Sequence, residues 1–529
     1  MIVFNSGIYR RLELFPESEP DESIRITLQN GNAMRFAKAR NHGRVVFDLD
    51  LHTTYSLSMD NATAGLIYLS DCEGLLEKGV RFLEVGDTAH SSFRFAPCKG
   101  WMGAPCGLCA YGGFYHMFYE WNPFSEAADN MYWGHAVSRD MVTWKHLPVL
   151  FAPAPELQIA RYRTGGAFSG SAEVMEDRVR LFFTRSLAVR KTGAVLRQYQ
   201  VQAESRDMLH FSAELPVLSV PPVPDAGPAF CAPKVTEADG VRYMAVGSTW
   251  KGKAAMLFYR ENKAGWEYVG PLLKEKSASE WKNPDFFPLG KAYAALGTFV
   301  FGGKSMVRWY TGGFQNGRFR VRKRGFLDFG GDFSAPQTFT GGGRRLLIGR
   351  IASPDGSGCA SLPREVFSRG RKIRTKPCAE AYARKGECIY EGRGEDVALS
   401  IKDSAFMAIL CFSGNTDFSL CIGKKDGVPL YLHCQNGACF FAEGTEKSGC
   451  ADVQTVQSVT LFADHSGVEV FINDGETTGT KGICGLDGSF SLAVIKPDKV
   501  ESVSVFRLCL NVKNEAWDEG ISKDETFEF

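Results

Sequence analysis

The 529-residue sequence has no long hydrophobic run, and nothing in it approaches the roughly 18 consecutive apolar residues that a membrane-spanning helix needs. A transmembrane role is therefore not expected. It also lacks an excess of either charge: 61 Lys and Arg stand against 60 Asp and Glu, for a net charge of +1. The chain as a whole offers no field to draw in nucleic acid or an anionic membrane, so neither is expected as a partner; a small neutral ligand such as a carbohydrate fits at least as well. The opening segment MIVFNSGIYRRLELF has neither the basic flank nor the apolar stretch of a secretory leader. Cysteine is not scarce, but its 15 copies are odd in number and follow no repeated spacing. That pattern reads as thiols in a reducing, cytoplasmic setting rather than a disulfide framework. Cys106 and Cys109 form a C-x-x-C with Cys98 upstream, without a second such pair or a His at ligand spacing. Buried thiols are the expected outcome, with no metal and no cofactor.

Helical periodicity is nearly absent too, and short strands fill its place. RVVFDLDLH, TYSLSM, GLIYLS and VRFLEV each run apolar or alternating between polar or glycine-bearing breaks. Beyond residue 95, pieces such as FYHMFYEWNP, AFSGSAEVMEDRVRLFFTRS and RYMAVGSTW recur with Gly, Asp and Trp in their turns, a texture that matches propeller blades of about four strands. SLPREVFSRGRKIRTKP reads as a connector, and the alternating strands after it as a β-sandwich. The expected class is all-β. The expected divisions are an N-terminal β-rich unit over 1–92, a propeller over 93–355, a sandwich over 356–515 and a frayed acidic tail over 516–529.

The stretch GWMGAPCGL, residues 100–108, has the form of a turn that mounts a reacting group: a stiffening Pro105 between Gly103 and Gly107, with Trp101 and Met102 behind. No carboxylate is mounted on it. Further along lie FYHMFYEWNPFSEAADNMYWGHAVSRDMVTWKHLPV, FSGSA (168–172), NPDFFPL (283–289), LDFGGDFSAPQTF (327–339), LPRE (362–365) and VEVFINDGE (468–476). In this order the motifs resemble glycoside hydrolase family 32, the group of invertases, levanases, fructan hydrolases and sucrose-6-phosphate hydrolases. The resemblance covers about residues 93–480. It implies a five-bladed propeller with a pocket at its axis, followed by a β-sandwich.

The same resemblance implies three acidic site residues, and each falls on a substitution. The nucleophilic Asp of the family's N-D-P-N-G is Ala104, with Gly103 and Cys106 in place of the two Asn. The R-D-P whose Asp contacts the sugar reads Cys231-Ala232-Pro233, and the E-C-P-D carrying the general acid reads Lys282-Asn283-Pro284-Asp285. Retaining hydrolysis needs one carboxylate to attack the anomeric carbon and a second about 5–5.5 Å away to protonate the leaving oxygen. Alanine does neither, so no catalytic residue is expected to be intact, and the chain reads as a non-catalytic carbohydrate-binding or regulatory protein of sucrose or fructan metabolism. Two alternatives stand beside it: an active glycosidase that has recruited Glu120 and Asp285, and a protein-interaction scaffold. The family's pocket Gln is Glu120 here. Trp133, Phe168 and Ser169 correspond to residues that wall the family's sugar pocket, and the two aromatics either line that cavity or pack within the blades. A Cys231 thiolate stabilised by Lys282 is one reading of that pair; a buried gap-filling thiol is the other.

Overall fold

The computed structural model describes residues 1–509 apart from 18–23, 32, 40–42, 86–92, 155–156, 158–161, 220, 222–224, 302–303, 394–396, 403–404, 414–416, 426–427, 484–489 and 496–499. The expected acidic tail lies outside the described residues. Nearly every regular segment is a strand, and the only described helices are the single turns Leu75–Lys78 and Ala379–Tyr382.

The N-terminal unit is a sandwich of two four-stranded sheets. One carries Ile2–Asn5, Thr54–Asp60, Ile24–Asn30 and Ala33–Ala39 in that spatial order, the other Val45–Asp48, Arg11–Glu17, Thr63–Ser70 and Arg81–Val85. Alternation explains the pairing of faces: in IRITLQN, Ile24, Ile26 and Leu28 are buried while Arg25 is exposed. They meet Leu12, Leu14 and Leu57, and the same core runs on into Phe114 and Val137 of the first blade. Burial is continuous across that junction.

Five antiparallel sheets follow. Their first strands are Trp101–Tyr111, Arg163–Val174, Ala226–Ala238, Lys282–Leu289 and Phe333–Gly341, and each neighbours the next, with the fifth returning to the first. This is the ring of a five-bladed propeller. The fifth blade corrects the sequence reading: the supposed connector supplies its outer strands Arg364–Arg369 and Lys372–Pro377, paired through Leu346↔Glu365 and Arg369↔Lys372. The propeller therefore runs past residue 355. Gly370 and Arg371, at φ 59° and 65°, make the two-residue turn whose twist suits a hairpin. Charge hid the alternation, because Ile373 and Thr375 are buried between exposed or half-buried Lys372, Arg374 and Lys376, and Val366 follows the half-buried Glu365.

The C-terminal part is two six-stranded sheets. Strand Ala405–Phe412 reads as an unbroken apolar run because both of its faces are covered. Phe406 and Leu410 meet the sister sheet, while Met407 meets Phe93, Val142 and Leu362 on the propeller side. In the sister sheet the hairpin Val428–Gln435/Ala438–Glu443 turns on Asn436-Gly437 and is bridged by a disulfide between Cys434 and Cys439. The reading of the cysteines as thiols missed that bridge.

The first blade buries two histidines side by side. His116 Nδ1 lies 3.1 Å from His135 Nε2, and the His135 ring stacks on Phe118. Burial pushes His116 down to about 4 and His135 well below the usual imidazole range. Both are neutral at pH 7, whereas the unfolded chain takes up these protons near the ordinary value of about 6.5. Their contribution is thus whole above that pH and is lost as the pH falls toward 4, by about 3 kcal/mol for His116. The thermal midpoint of the native protein should fall more steeply between pH 7 and pH 4.5 than that of a His116→Asn, His135→Asn variant. Parallel slopes would sink the assignment.

Candidate functional site at the propeller axis

Each inner strand carries a break in its pairing register, and several of the expected site residues sit at these breaks. The irregularities fall between Met102 and Pro105, Phe168 and Gly170, Cys231 and Lys234, Lys282 and Asp285, and Ser334 and Gln337. A bulge of this kind bends a strand and re-aims its side chains. Ala232, Asn283 and Ala335 hold φ of 63°, 48° and 48° at three of them, each followed by a proline that needs no ladder hydrogen bond. Left-handed backbone suits Asp or Asn better than Ala. The backbone at Ala232 thus keeps a shape that favours the residue type the family motif carries there. Thr184 and Thr298 hydroxyls accept the freed N–H groups of Ala232 and Ala335 at 3.0 and 2.9 Å. The fifth bulge, Ser334–Gln337, lies in the DFSAPQTF stretch that the resemblance sets beside the pocket; the recurring Ala-Pro at 104–105, 232–233 and 335–336 is a further signal that marks it as a site element.

Glu120 is the centre of what the bulges bring together. Its Oε1 accepts the Ser169 N–H at 2.7 Å and the Ser169 hydroxyl at 2.6 Å, and its Oε2 accepts the Ala104 N–H at 3.3 Å. Asn283 Nδ2 donates across the axis to Ser169 Oγ at 3.3 Å, joining the fourth blade to the second. From the fifth blade, Arg350 packs on Trp101 and donates through Nε to the Met102 carbonyl at 2.6 Å. Gly103 is closed to any side chain in this arrangement: a Cβ there would lie 2.5 Å from Glu120 Oε2 and 2.5 Å from the Trp101 ring. The carboxylate of Glu120 and the Trp101 ring occupy the space beside the missing Asn.

Other candidates divide by burial. Ala104 and Ala232 are buried beside the axis, and their methyl groups carry no chemistry. Lys282 has half its side chain exposed and faces Glu280 at 3.7 Å, a loose pair. Phe168 and Cys231 are half-buried. Burial, with Glu280 and Glu120 adding to it and Lys282 opposing, pushes the Cys231 thiol up to about 12. It stays protonated, which overturns the thiolate reading.

Three expected pocket residues belong elsewhere. Trp133 is fully buried among Phe118, Phe151 and Phe183, and its indole N–H donates to the Phe168 carbonyl at 3.1 Å. It positions the strand that carries Ser169 and is packed as a core residue of the blades. Cys106 lies in the same core, fully buried. Asp285 is fully buried as well; its Oδ2 accepts the Thr338 N–H at 2.6 Å, and Lys234 Nζ stands 3.5 Å from its Oδ1.

The sequence landmarks outside the axis converge on a site of a different kind. Arg364 of LPRE donates through Nε and Nη2 to Glu469 of VEVFINDGE at 3.0 and 2.6 Å, and through Nη1 to Asp328 of LDFGGDF at 3.2 Å. Arg94 completes the cluster, donating to Glu469 at 3.0 Å and to Asp464 at 2.7 Å. Both guanidiniums are fully enclosed. These motifs fasten propeller to sandwich.

Comparison with known proteins agrees with this geometry. The glycosyl hydrolases family 32 N-terminal domain matches residues 94–377, over half of the chain. Raffinose invertase of Escherichia coli is 29% identical over 433 residues, covering 74% of this chain and 89% of that protein. Sucrose-6-phosphate hydrolase of Bacillus subtilis is 29% identical over 431 residues, covering 74% and 88%. Among solved structures, a family 32 glycoside hydrolase from Bifidobacterium adolescentis superimposes with a TM-score of 0.88 at 27% identity, covering 96% of this chain and 99% of that one. That coverage takes in most of the N-terminal sandwich. With propeller, axis and sandwich all in the family's order, the chain belongs to glycosyl hydrolase family 32.

Proposed function

We propose that this chain is a non-catalytic member of its family, one that binds a carbohydrate at the propeller axis and serves sucrose or fructan metabolism as a binding or regulatory protein in the cytoplasm. One observation carries the reading: at the axis, the three positions that hold carboxylates in the family motifs are Ala104, Ala232 and Lys282. Retaining hydrolysis works through a pair of carboxylates about 5–5.5 Å apart. The recruited pair Glu120 and Asp285 fits that role poorly. Asp285 is enclosed against Lys234, and Glu120 is engaged by three donors. A ligand at this axis would meet the Phe168 edge, the Asn283 amide and a Lys282–Glu280 rim in place of an acidic floor. Loss of hydrogen-bonding partners weakens recognition of a polyol steeply, so sucrose itself is expected to bind weakly.

The test is direct. Purified protein incubated with sucrose, sucrose 6-phosphate, raffinose, inulin or levan should release no fructose above a mock preparation. Turnover that disappears in a Glu120→Gln variant would establish a working carboxylate at the axis and overturn the reading. A thermal-shift screen of mono- and oligosaccharides then identifies the ligand.

A further inference from the structure

A chain with a net charge of +1 concentrates its cations in one place. The outermost strand of the fourth blade, Arg318–Phe326, reads RFRVRKRGF; Arg318, Arg320, Arg322, Lys323 and Arg324 are all exposed, and the strand holds no acidic residue. The outer hairpin of the fifth blade sets Arg369, Arg371, Lys372 and Arg374 beside it, stapled by Lys323 Nζ donating to the Gly370 carbonyl at 2.9 Å. Among the described residues, Arg320, Arg324 and Lys372 have no carboxylate partner. Arg374 pairs with Glu476.

These strands form one wall of a cleft whose other wall is the C-terminal sandwich. Its main chamber measures about 760 Å³ and opens into a second of about 600 Å³ lined by several of the same residues. Such a volume lies in the range of sites that enclose small ligands. Lys323, Arg324 and Lys372 face Gln454, Gln457 and Asn473 across the main chamber, with Asp452, Glu476 and the Arg364-paired Asp328 as the acidic members of that lining, and Asp474 and Glu476 in the second. Cations on an outer strand guard a sheet edge against mispairing. Edge protection does not call for two such strands to lie side by side along one wall of a cleft, opposite a row of amides.

We propose that this interdomain cleft binds an acidic oligosaccharide, the cations meeting its carboxylate or sulfate groups and the amides its hydroxyls. The lining argues for a saccharide over nucleic acid. Base recognition by single-strand binders relies on exposed aromatic platforms; of the rings in this lining, Trp309 and Phe329 are 6% and 2% exposed, and Phe326, though 45% exposed, carries Arg308 over its face. A membrane surface is a poor fit for a concave cleft walled by cations and amides. The chemistry is independent of the axis.

Titration calorimetry on the full chain tests the proposal. The probes are a short oligogalacturonate, a heparin-derived oligosaccharide, a neutral inulin oligosaccharide, a short oligo(dT) and phosphatidylglycerol vesicles. The two acidic saccharides, which separate carboxylate from sulfate recognition, should bind saturably and lose at least about tenfold in affinity between about 50 and about 500 mM salt. A Lys323→Ala, Arg324→Ala, Lys372→Ala variant, all three in the lining, with an unchanged melting midpoint should lose about tenfold or more. Lys372→Glu alone provides the same test should the triple variant fold poorly. The proposal falls if neither acidic saccharide binds, if the inulin oligosaccharide binds as well, if oligo(dT) or vesicles bind more tightly, or if the variants bind as the native chain does. The axis is untouched in these variants, so their outcome is separate from that of the fructose-release assay.

Discussion

Replacing Arg364 with alanine is expected to lower the stability of the protein by about 3–5 kcal/mol, the range for breaking a buried ion cluster by removing one member. Arg364 is fully enclosed, and it is the cation between Glu469 and Asp328. Without it, Arg94 is the remaining cation for three enclosed carboxylates, those of Asp328, Asp464 and Glu469. Burial already holds the Asp328 carboxyl above its usual range even with Arg364 beside it. Lysine is not expected to rescue the site, because two nitrogens of one guanidinium reach Glu469 while a third reaches Asp328. Leu362 also donates its N–H to Glu469 at 2.8 Å, so the loss should spread to the chain between the fifth blade and the sandwich. The expected readout is a melting midpoint lower by roughly 3–5 °C, given the unfolding entropy of a chain this long, together with faster proteolysis between Pro377 and Lys385. Removing the exposed Arg139–Glu77 pair is the control and should change little. An Arg364→Ala protein that melted with the native one would show that the cluster does not hold the two parts together.

The overall plan was legible because strands declare themselves locally. TYSLSM and GLIYLS became Thr54–Asp60 and Thr63–Ser70, and blade after blade followed from alternation closed by turn residues. Where charge interrupts that pattern, as in the fifth-blade hairpin from Arg364 to Pro377, a strand passes for a connector. The site was legible only in part, for a related reason. Bulges at the axis break the period of two, so counting along WMGAPCGL does not reveal that Cys106 turns into the blade core while Gly103 turns toward Glu120. Trp133 is a similar case, since the strand itself does not say which of its faces the second blade covers. Contacts between distant segments are out of reach altogether. Arg364 and Glu469 were both quoted as landmarks, and nothing in either stretch says that they touch.

The condition of the axis is best tested by putting its chemistry back, and the structure changes how that is done. The direct restoration is Gly103→Asn, Ala104→Asp, Cys106→Asn, Cys231→Arg, Ala232→Asp and Lys282→Glu. As it stands this variant is expected to stay inactive. In either variant a side chain at position 103 has to push aside the ends of residue 120 and of Trp101, which lie 2.5 Å from a Cβ there, so what separates the two is charge: the carboxylate that Ala104→Asp introduces would share its surroundings with that of Glu120. Two carboxylates in one site raise the pKa of one of them, which spoils a nucleophile that must be ionised. Adding Glu120→Gln removes the repulsion, keeps an acceptor for Ser169 and frees the Ala104 N–H position from a charge. The seven-fold variant should release fructose from sucrose at least about a hundredfold faster than the six-fold one, since nucleophile and acid act as a unit once both are functional. Ala104→Asp alone should do almost nothing, because without the acid at 282 the leaving oxygen has no proton donor. Positive φ at Ala232 and Asn283 favours success, since the backbone there still holds the shape that presents those two positions. A folded seven-fold variant that neither binds fructose nor releases it would show that the bulges have shifted by more than the roughly 0.5 Å a catalytic constellation tolerates; the axis would then have been rebuilt around Glu120 for a different ligand.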